Sequence, residues 1–180
     1  QKLQKSRKVH NIRRFRTYYK VSLKNKHKFK VFFNIKTEKK FKNFLRTSFK
    51  YKKKSDAFYG KLQRRLEIFL VDSLFFTNLE SARIFIKNGA ILVNGVPITK
   101  IDYTIRNIDI VGIIPQFHIY IYNNLKNAIL NGKKLKKTNE INLKTLEVIP
   151  CGIKVKGTAF LEKLIQSPIA LDLIQKSYKS

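Results

Sequence analysis

Acidic residues, cysteines and long apolar runs are all scarce in this chain, and each shortage excludes something. Only 11 of its 180 residues are Asp or Glu, against 39 Lys and Arg, so the formal charge is +28. Self-repulsion on that scale opposes compaction unless a polyanion neutralises it. The single cysteine, Cys151, excludes an internal disulfide, and with no second cysteine a zinc site there is not expected. No stretch approaches the roughly 18 uncharged apolar residues of a membrane span. A polybasic membrane-surface protein concentrates its charge on one amphipathic helix, whereas here the charge runs along the chain, so no membrane partner is expected. There is no phosphate-loop glycine pattern and no His-Glu-x-x-His. Asp72, Asp102 and Asp109 are dispersed, and His118 stands alone, so no catalytic constellation forms and no cofactor, metal or small-molecule substrate is expected.

What is present is enough apolar material for a core, 43% of residues, which argues against wholesale disorder. The charge is uneven. Residues 1–64 hold 23 Lys and Arg and two acids, while residues 65–180 hold 16 and nine. Tryptophan is absent, and Lys, Ile, Asn and Phe are abundant, which fits an A/T-rich organellar gene. The chain opens on Gln1 without a secretory pattern, which reads as a processed or missing start.

The organising stretch is 65–111. Leu62, Leu66, Phe69, Leu70 and Ser73 have the spacing of one buried helical face. Thr77 or Asn78 caps a second helix, Thr77 and Glu80 having capping-box spacing. That helix buries Leu79, Ala82, Phe85 and Ile86 and stops at Asn88-Gly89, a left-handed C-cap. Ala90 to Val93 reads as a strand, and Asn94-Gly95 as a two-residue type I′ turn.

These residues resemble the S-four RNA-binding domain, and within it the small-subunit ribosomal proteins of the S-four family. Arg65, Leu66, Glu67, Ala82, Arg83, Gly89, Val93, Asn94, Gly95, Tyr103 and Asp109 match the family pattern in one register. Two positions depart from it: Leu74 stands where the family usually has glycine, and Leu79 where it usually has arginine. A second likeness lies in Phe41-Lys42-Asn43-Phe44-Leu45, and a third in Leu146-Glu147-Val148 and the closing Ser177-Tyr178-Lys179-Ser180.

The resemblance implies an α+β fold: a small module of two helices, a hairpin turn and short strands, inserted between a basic N-terminal helical region and a C-terminal segment that packs back on it. The expected divisions are a basic RNA-embedded arm over 1–40, a helical region over 41–60, the module over 61–113 and a C-terminal extension over 114–180. It further implies a small-subunit rRNA junction as partner, neighbouring small-subunit ribosomal proteins and a role in assembly; the organellar composition adds a mitochondrial location, with plastid as the alternative. By resemblance Arg65, Arg83, Asn94 and Tyr103 lie on or support the RNA surface. Arg65 pairing with Glu67 or Asp72, Tyr103 as a core ring and Asn94 as a turn residue explain the same positions without RNA.

Charge and proximity add Lys61, Arg64, Lys87, Lys100 and Arg106 as phosphate candidates. The basic knot of Lys50, Lys52, Lys53 and Lys54 joins them. So does the arm, where Arg13, Arg14 and Arg16 alternate with aromatics that stack on unpaired bases. The arm is expected to order only on RNA, with Val31 to Phe33 a short strand or an anchor. Phe117 to Tyr122 alternates as a half-exposed strand, Leu125 to Leu130 reads as a brief helix, Gly152 to Gly157 as a strand, and Ser167-Pro168 as a helix start. The module also occurs fused to pseudouridine synthases and tyrosyl-tRNA synthetases, but the flanks here are too short and basic for a catalytic domain. The alternative reading is a free-standing RNA chaperone or stress factor.

Overall fold

A computed structural model of the chain describes residues 20–133 and 139–150, except 25, 28, 32, 49 and 51–53. The readings at Arg13, Arg14, Arg16, Lys52, Lys53, 152–157 and 167–168 lie outside the described residues. The described chain divides into two compact units between Phe58 and Tyr59.

In the first unit the described residues of 20–31 are helical, and helix α1 follows at Glu38–Ser48. Thr37 caps α1 by accepting the Lys40 amide at 3.3 Å, and its Phe41, Leu45 and Ser48 are buried at i, i+4 and i+7. Glu38, in the first turn where the helix dipole favours an anion, pairs with Lys26 and Lys30 of the preceding helical segment. The core here is aromatic. Phe29 stands 4.4 Å from Phe33, 5.8 Å from Phe41 and 5.3 Å from Phe58, ring centre to ring centre.

Of the two readings of Val31 to Phe33, the described residues fit the anchor: residue 31 ends a helical stretch and Phe33 sits in a turn. Val31 is 77% exposed while Phe29, Phe33 and Ile35 are buried.

Helix α2, Lys54–Gln63, leads into the second unit and stops one residue before Arg64. Sequence periodicity runs a single helix across this point, and all five predicted stripe residues from Leu62 to Ser73 are buried. The backbone nevertheless breaks. Arg65 is extended, at φ −70° and ψ 133°, and bridges Thr104. The Leu66 amide donates to the Tyr103 carbonyl at 2.9 Å, and the Ile105 amide to the Arg64 carbonyl at 2.8 Å. A strand-like pairing from forty residues away replaces two helical bonds, and no local pattern can announce that.

Helix α3, Leu66–Asp72, is buried on every side from Leu66 to Val71. It ends in a Schellman cap: the Leu74 amide reaches the Val71 carbonyl and the Phe75 amide the Leu70 carbonyl. The same pair of bonds closes helix α4, Leu79–Lys87, through Gly89, and helix α5, His118–Leu130, through Gly132. Gly89 and Gly132 hold φ of +70° and +74°, where glycine is at ease; Leu74 holds +61° with a side chain that resists it. The position where the family pattern has glycine is thus left-handed in this chain, and leucine occupies it at a cost of about 1–2 kcal/mol.

At the start of α4 the cap is Asn78, whose side chain accepts the Ser81 amide at 2.9 Å, so the Thr77 capping box is not used. Leu79, Ala82 and Ile86 are buried as expected. Phe85 is half-buried and meets Phe76, Phe117 and Tyr120.

Strand β1, Ile91–Val93, turns through Asn94 and Gly95, both at positive φ (+52° and +79°), into β2, Val96–Pro97. That is the type I′ geometry the Asn-Gly pair specifies. β1 also pairs with β3, Val111–Ile113, which meets β5, Glu147–Pro150, and β5 meets β4, Asn139–Asn142. The result is a five-stranded antiparallel sheet in the order β2-β1-β3-β5-β4. The fold is α+β.

Residues 117–122 are not a strand. Pro115 starts a 3-10 turn over Pro115–Phe117 that runs directly into α5, where Ile121, Leu125 and Ala128 are buried at i, i+4 and i+7. The alternation Phe-His-Ile-Tyr-Ile-Tyr misleads because Ile119 and Tyr122 face solvent while Ile121 does not. His118 donates from Nε2 to the Ile113 carbonyl at 2.9 Å, a structural role.

Candidate nucleic-acid interface

Everything that shapes the candidate surface in the second unit sits around the two pairings just described. The Arg65–Thr104 bridge holds the loop 98–110 against the α2–α3 junction, bringing exposed Arg64 and Arg106 and half-buried Tyr103 onto one connected stretch. At its other end that loop is clasped to the hairpin. Asn94 donates from Nδ2 to Asp109 Oδ1 at 3.1 Å, and its Oδ1 accepts the Ile110 amide at 2.9 Å. Its backbone amide donates to the Ile110 carbonyl at 2.8 Å, and Asp109 Oδ2 accepts the Arg106 amide at 2.9 Å. Asp109 is buried, and a buried carboxylate needs such partners.

Asn94 therefore has both ends of its amide engaged in the clasp. It remains exposed; turn chemistry foretells its place in the hairpin, and the clasp to the loop is a second task. The clasp itself was not legible, because Asn94 and Asp109 are too far apart in the chain for any local pattern to pair them.

Arg65, by contrast, is placed inside. It is 7% exposed, and its Nε and Nη2 donate to Glu67 Oε1 at 3.0 and 2.9 Å. Its burial keeps it from lining the surface. Arg83, on α4, donates from Nε to Glu67 Oε2 and keeps 17% of its side chain exposed. Glu67 itself is fully buried, with one oxygen toward each arginine. Of this triad the pairing of Arg65 and Glu67 was among the sequence expectations, and the bond from Arg83 was not.

Lys87 lies exposed in the last turn of α4, beside the Gly89 cap. A β-carbon on Gly89 would stand 3.8 Å from Thr99 Cγ2 and 4.0 Å from Pro97 Cβ, so the 97–99 strand exit passes close by and carries exposed Lys100. Lys61 is half-buried on α2, and loss of water around its ammonium pulls its pKa below the usual lysine value. Lys50 is exposed in the first unit, and Lys54 opens α2.

Leu79, where the family pattern has arginine, is 6% exposed on the core face of α4, so this position offers no charge to any ligand. Among the described residues no group of three His, Cys, Asp or Glu is placed to hold a metal ion, and no helix is long and apolar enough to cross a membrane.

Fold and site together define an α+β module: a two-residue hairpin and a pinned loop, flanked by exposed Arg64, Lys87, Lys100 and Arg106, beside a helix that carries a held arginine. No protein-family model matches the chain. It is similar to the small ribosomal subunit protein uS4m of Reclinomonas americana, with 29% identity over 158 residues, 87% of this chain and 61% of that protein. The likeness to the S-four family read from its residues is borne out by that relative. It spans about three-fifths of the relative's length.

Proposed function

We propose that the chain is a non-enzymatic, rRNA-binding component of the mitochondrial small ribosomal subunit, and that it supports subunit assembly and translation. The observation that carries this reading is the coincidence of the S-four relative with a pinned hairpin-and-loop surface whose exposed charged side chains include Arg64, Lys87, Lys100 and Arg106. Such a surface reads the shape of folded RNA through phosphates and 2′-hydroxyls and is indifferent to base sequence. A multi-helix junction of small-subunit rRNA offers that shape. The charge of residues 1–64 supplies non-specific attraction, while the module, whose five basic and five acidic residues over 65–113 cancel, supplies placement.

Neighbouring small-subunit proteins are the further partners. The domain reading keeps the module as an insertion between a basic N-terminal region and the C-terminal extension. Sedimentation tests the proposal: the tagged chain should travel with small ribosomal subunits in a mitochondrial lysate. A chain found only in the free fractions would favour a stand-alone RNA chaperone.

A further inference from the structure

We infer that Glu67 is a positioning residue for RNA: it presets the Arg83 guanidinium as a phosphate fork, with Arg65 locking the carboxylate from the other side. This rests on the RNA-binding reading above and names the device inside it.

The geometry is specific. Glu67 lies in the first turn of α3, fully buried, and cannot be there for its own contact with a ligand. A buried carboxylate is costly unless its oxygens are satisfied by charged donors. Here one oxygen takes two N–H groups from Arg65, two residues before it, and the other takes Nε–H from Arg83, sixteen residues on. Arg65 is itself held by the extended backbone that bridges Thr104, so the carboxylate has a fixed base.

The consequence falls on Arg83. A free arginine explores many rotamers, and fixing one on binding costs entropy. The Nε bond to Glu67 orients the plane of the guanidinium. The side chain remains 17% exposed, on the same helix as Lys87. A planar fork held this way suits bidentate contact with a phosphate, which a lysine at the same place would meet only as a point charge. Arg65, at 8% side-chain exposure, is the anchor; Arg83 is the contact.

A double-mutant cycle on the full chain tests this, with a transcribed small-subunit rRNA junction as the probe and folding checked by circular dichroism. Arg83→Ala should weaken binding roughly tenfold, as for loss of a charged hydrogen bond. It should also lower the salt slope by about one counterion. Glu67→Gln, which keeps the shape and removes the charge, should weaken binding severalfold and lower the slope in the same way. In the Arg83→Ala background Glu67→Gln should change affinity by less than about twofold, because the residue it acts through is gone. Where Glu67→Gln does not fold, Glu67→Asp, which keeps the charge and shortens the reach, takes its place in the cycle. Additive losses, or a full salt slope in the Glu67 variant, overturn the inference and leave Glu67 as a stitch between α3 and α4. Failure of the unaltered chain to bind the junction overturns the proposed function itself.

Discussion

The two units solve the same problem, staying folded under excess positive charge, in opposite ways. The first has a greasy aromatic centre of Phe29, Phe33, Phe41, Phe44 and Phe58 inside a chain segment dense in lysine. Its one described cluster of ion pairs converges on Glu38 at the surface. The second unit balances its charges over 65–113 and fixes itself with directional polar bonds: the buried Glu67 triad and the Asn94–Asp109 clasp. Apolar packing is non-directional and tolerant, whereas polar networks specify one geometry at a cost if any member is lost. A region that attracts phosphate needs only the first; a surface that must match the shape of an RNA needs the second.

Salt gives the largest effect. Binding to a small-subunit rRNA fragment should fall by several orders of magnitude between low and moderate salt if about a dozen cations contact phosphate. Replacing Lys36, Lys39, Lys42 and Arg46 of the first unit by glutamine should flatten that dependence without changing the preference for a folded junction over duplex RNA. A flat response in the unaltered chain would break the division of labour.

Core packing comes next. Phe41→Ala removes a fully buried ring at the centre of the first unit and should cost about 3–5 kcal/mol, read by chemical denaturation. If near-ultraviolet signals show the second unit melting unchanged, the two units are energetically separate as well as chemically different.

Backbone strain is smaller. Gly95→Val places a β-branched residue at φ +79° and should cost on the order of 1–3 kcal/mol, seen as a lowered Tm before any loss of RNA contact. Loss of binding at unchanged Tm would reverse that order. Leu74→Gly should be tolerated to within about 1 kcal/mol, since relief of the left-handed backbone offsets the loss of a half-buried side chain.

The smallest effect is titration of Lys61, whose folded-state pKa is lowered by desolvation. Between that value and the ordinary 10.5 the unfolded chain holds the extra proton, so stability should rise with pH across that window and be lowest below it. An RNA phosphate beside Lys61 would reverse the shift, and NMR titration of the bound and free chain distinguishes the two.

What was legible follows from range. The Asn94-Gly95 turn, the Gly89 helix end and the buried stripe of α4 are set by neighbours in sequence, and all appear where composition puts them. Among the candidate residues, Arg64, Lys87, Lys100 and Arg106 are exposed as charge alone suggests. The misses are long-range. The α2–α3 break comes from Thr104, the hold on Arg83 from Glu67, and the engagement of Asn94 from Asp109. The false strand at 117–122 came from reading alternation over six residues, too short a window to separate a strand from the start of a thirteen-residue helix. Leu74 shows the converse: glycine would have advertised that helix end, and leucine hides it.

The order of the sheet has a consequence for synthesis. β1–β2, β1–β3 and β4–β5 are pairings between neighbours in the chain, but the two groups meet along one seam, where Val111 faces Val148 across the whole of α5. Closing that loop is the entropically expensive contact and the last one a growing chain can make. Residues 65–113 hold every member of the hairpin, the clasp and the triad, so these can form before the strands that will cover β3 exist. Until then the edge of β3 is an open ladder. Nascent protein of this length would leave the β3 edge at Val111 open to exchange that pairing with Val148 later closes, and the seam should be where the mature fold first opens.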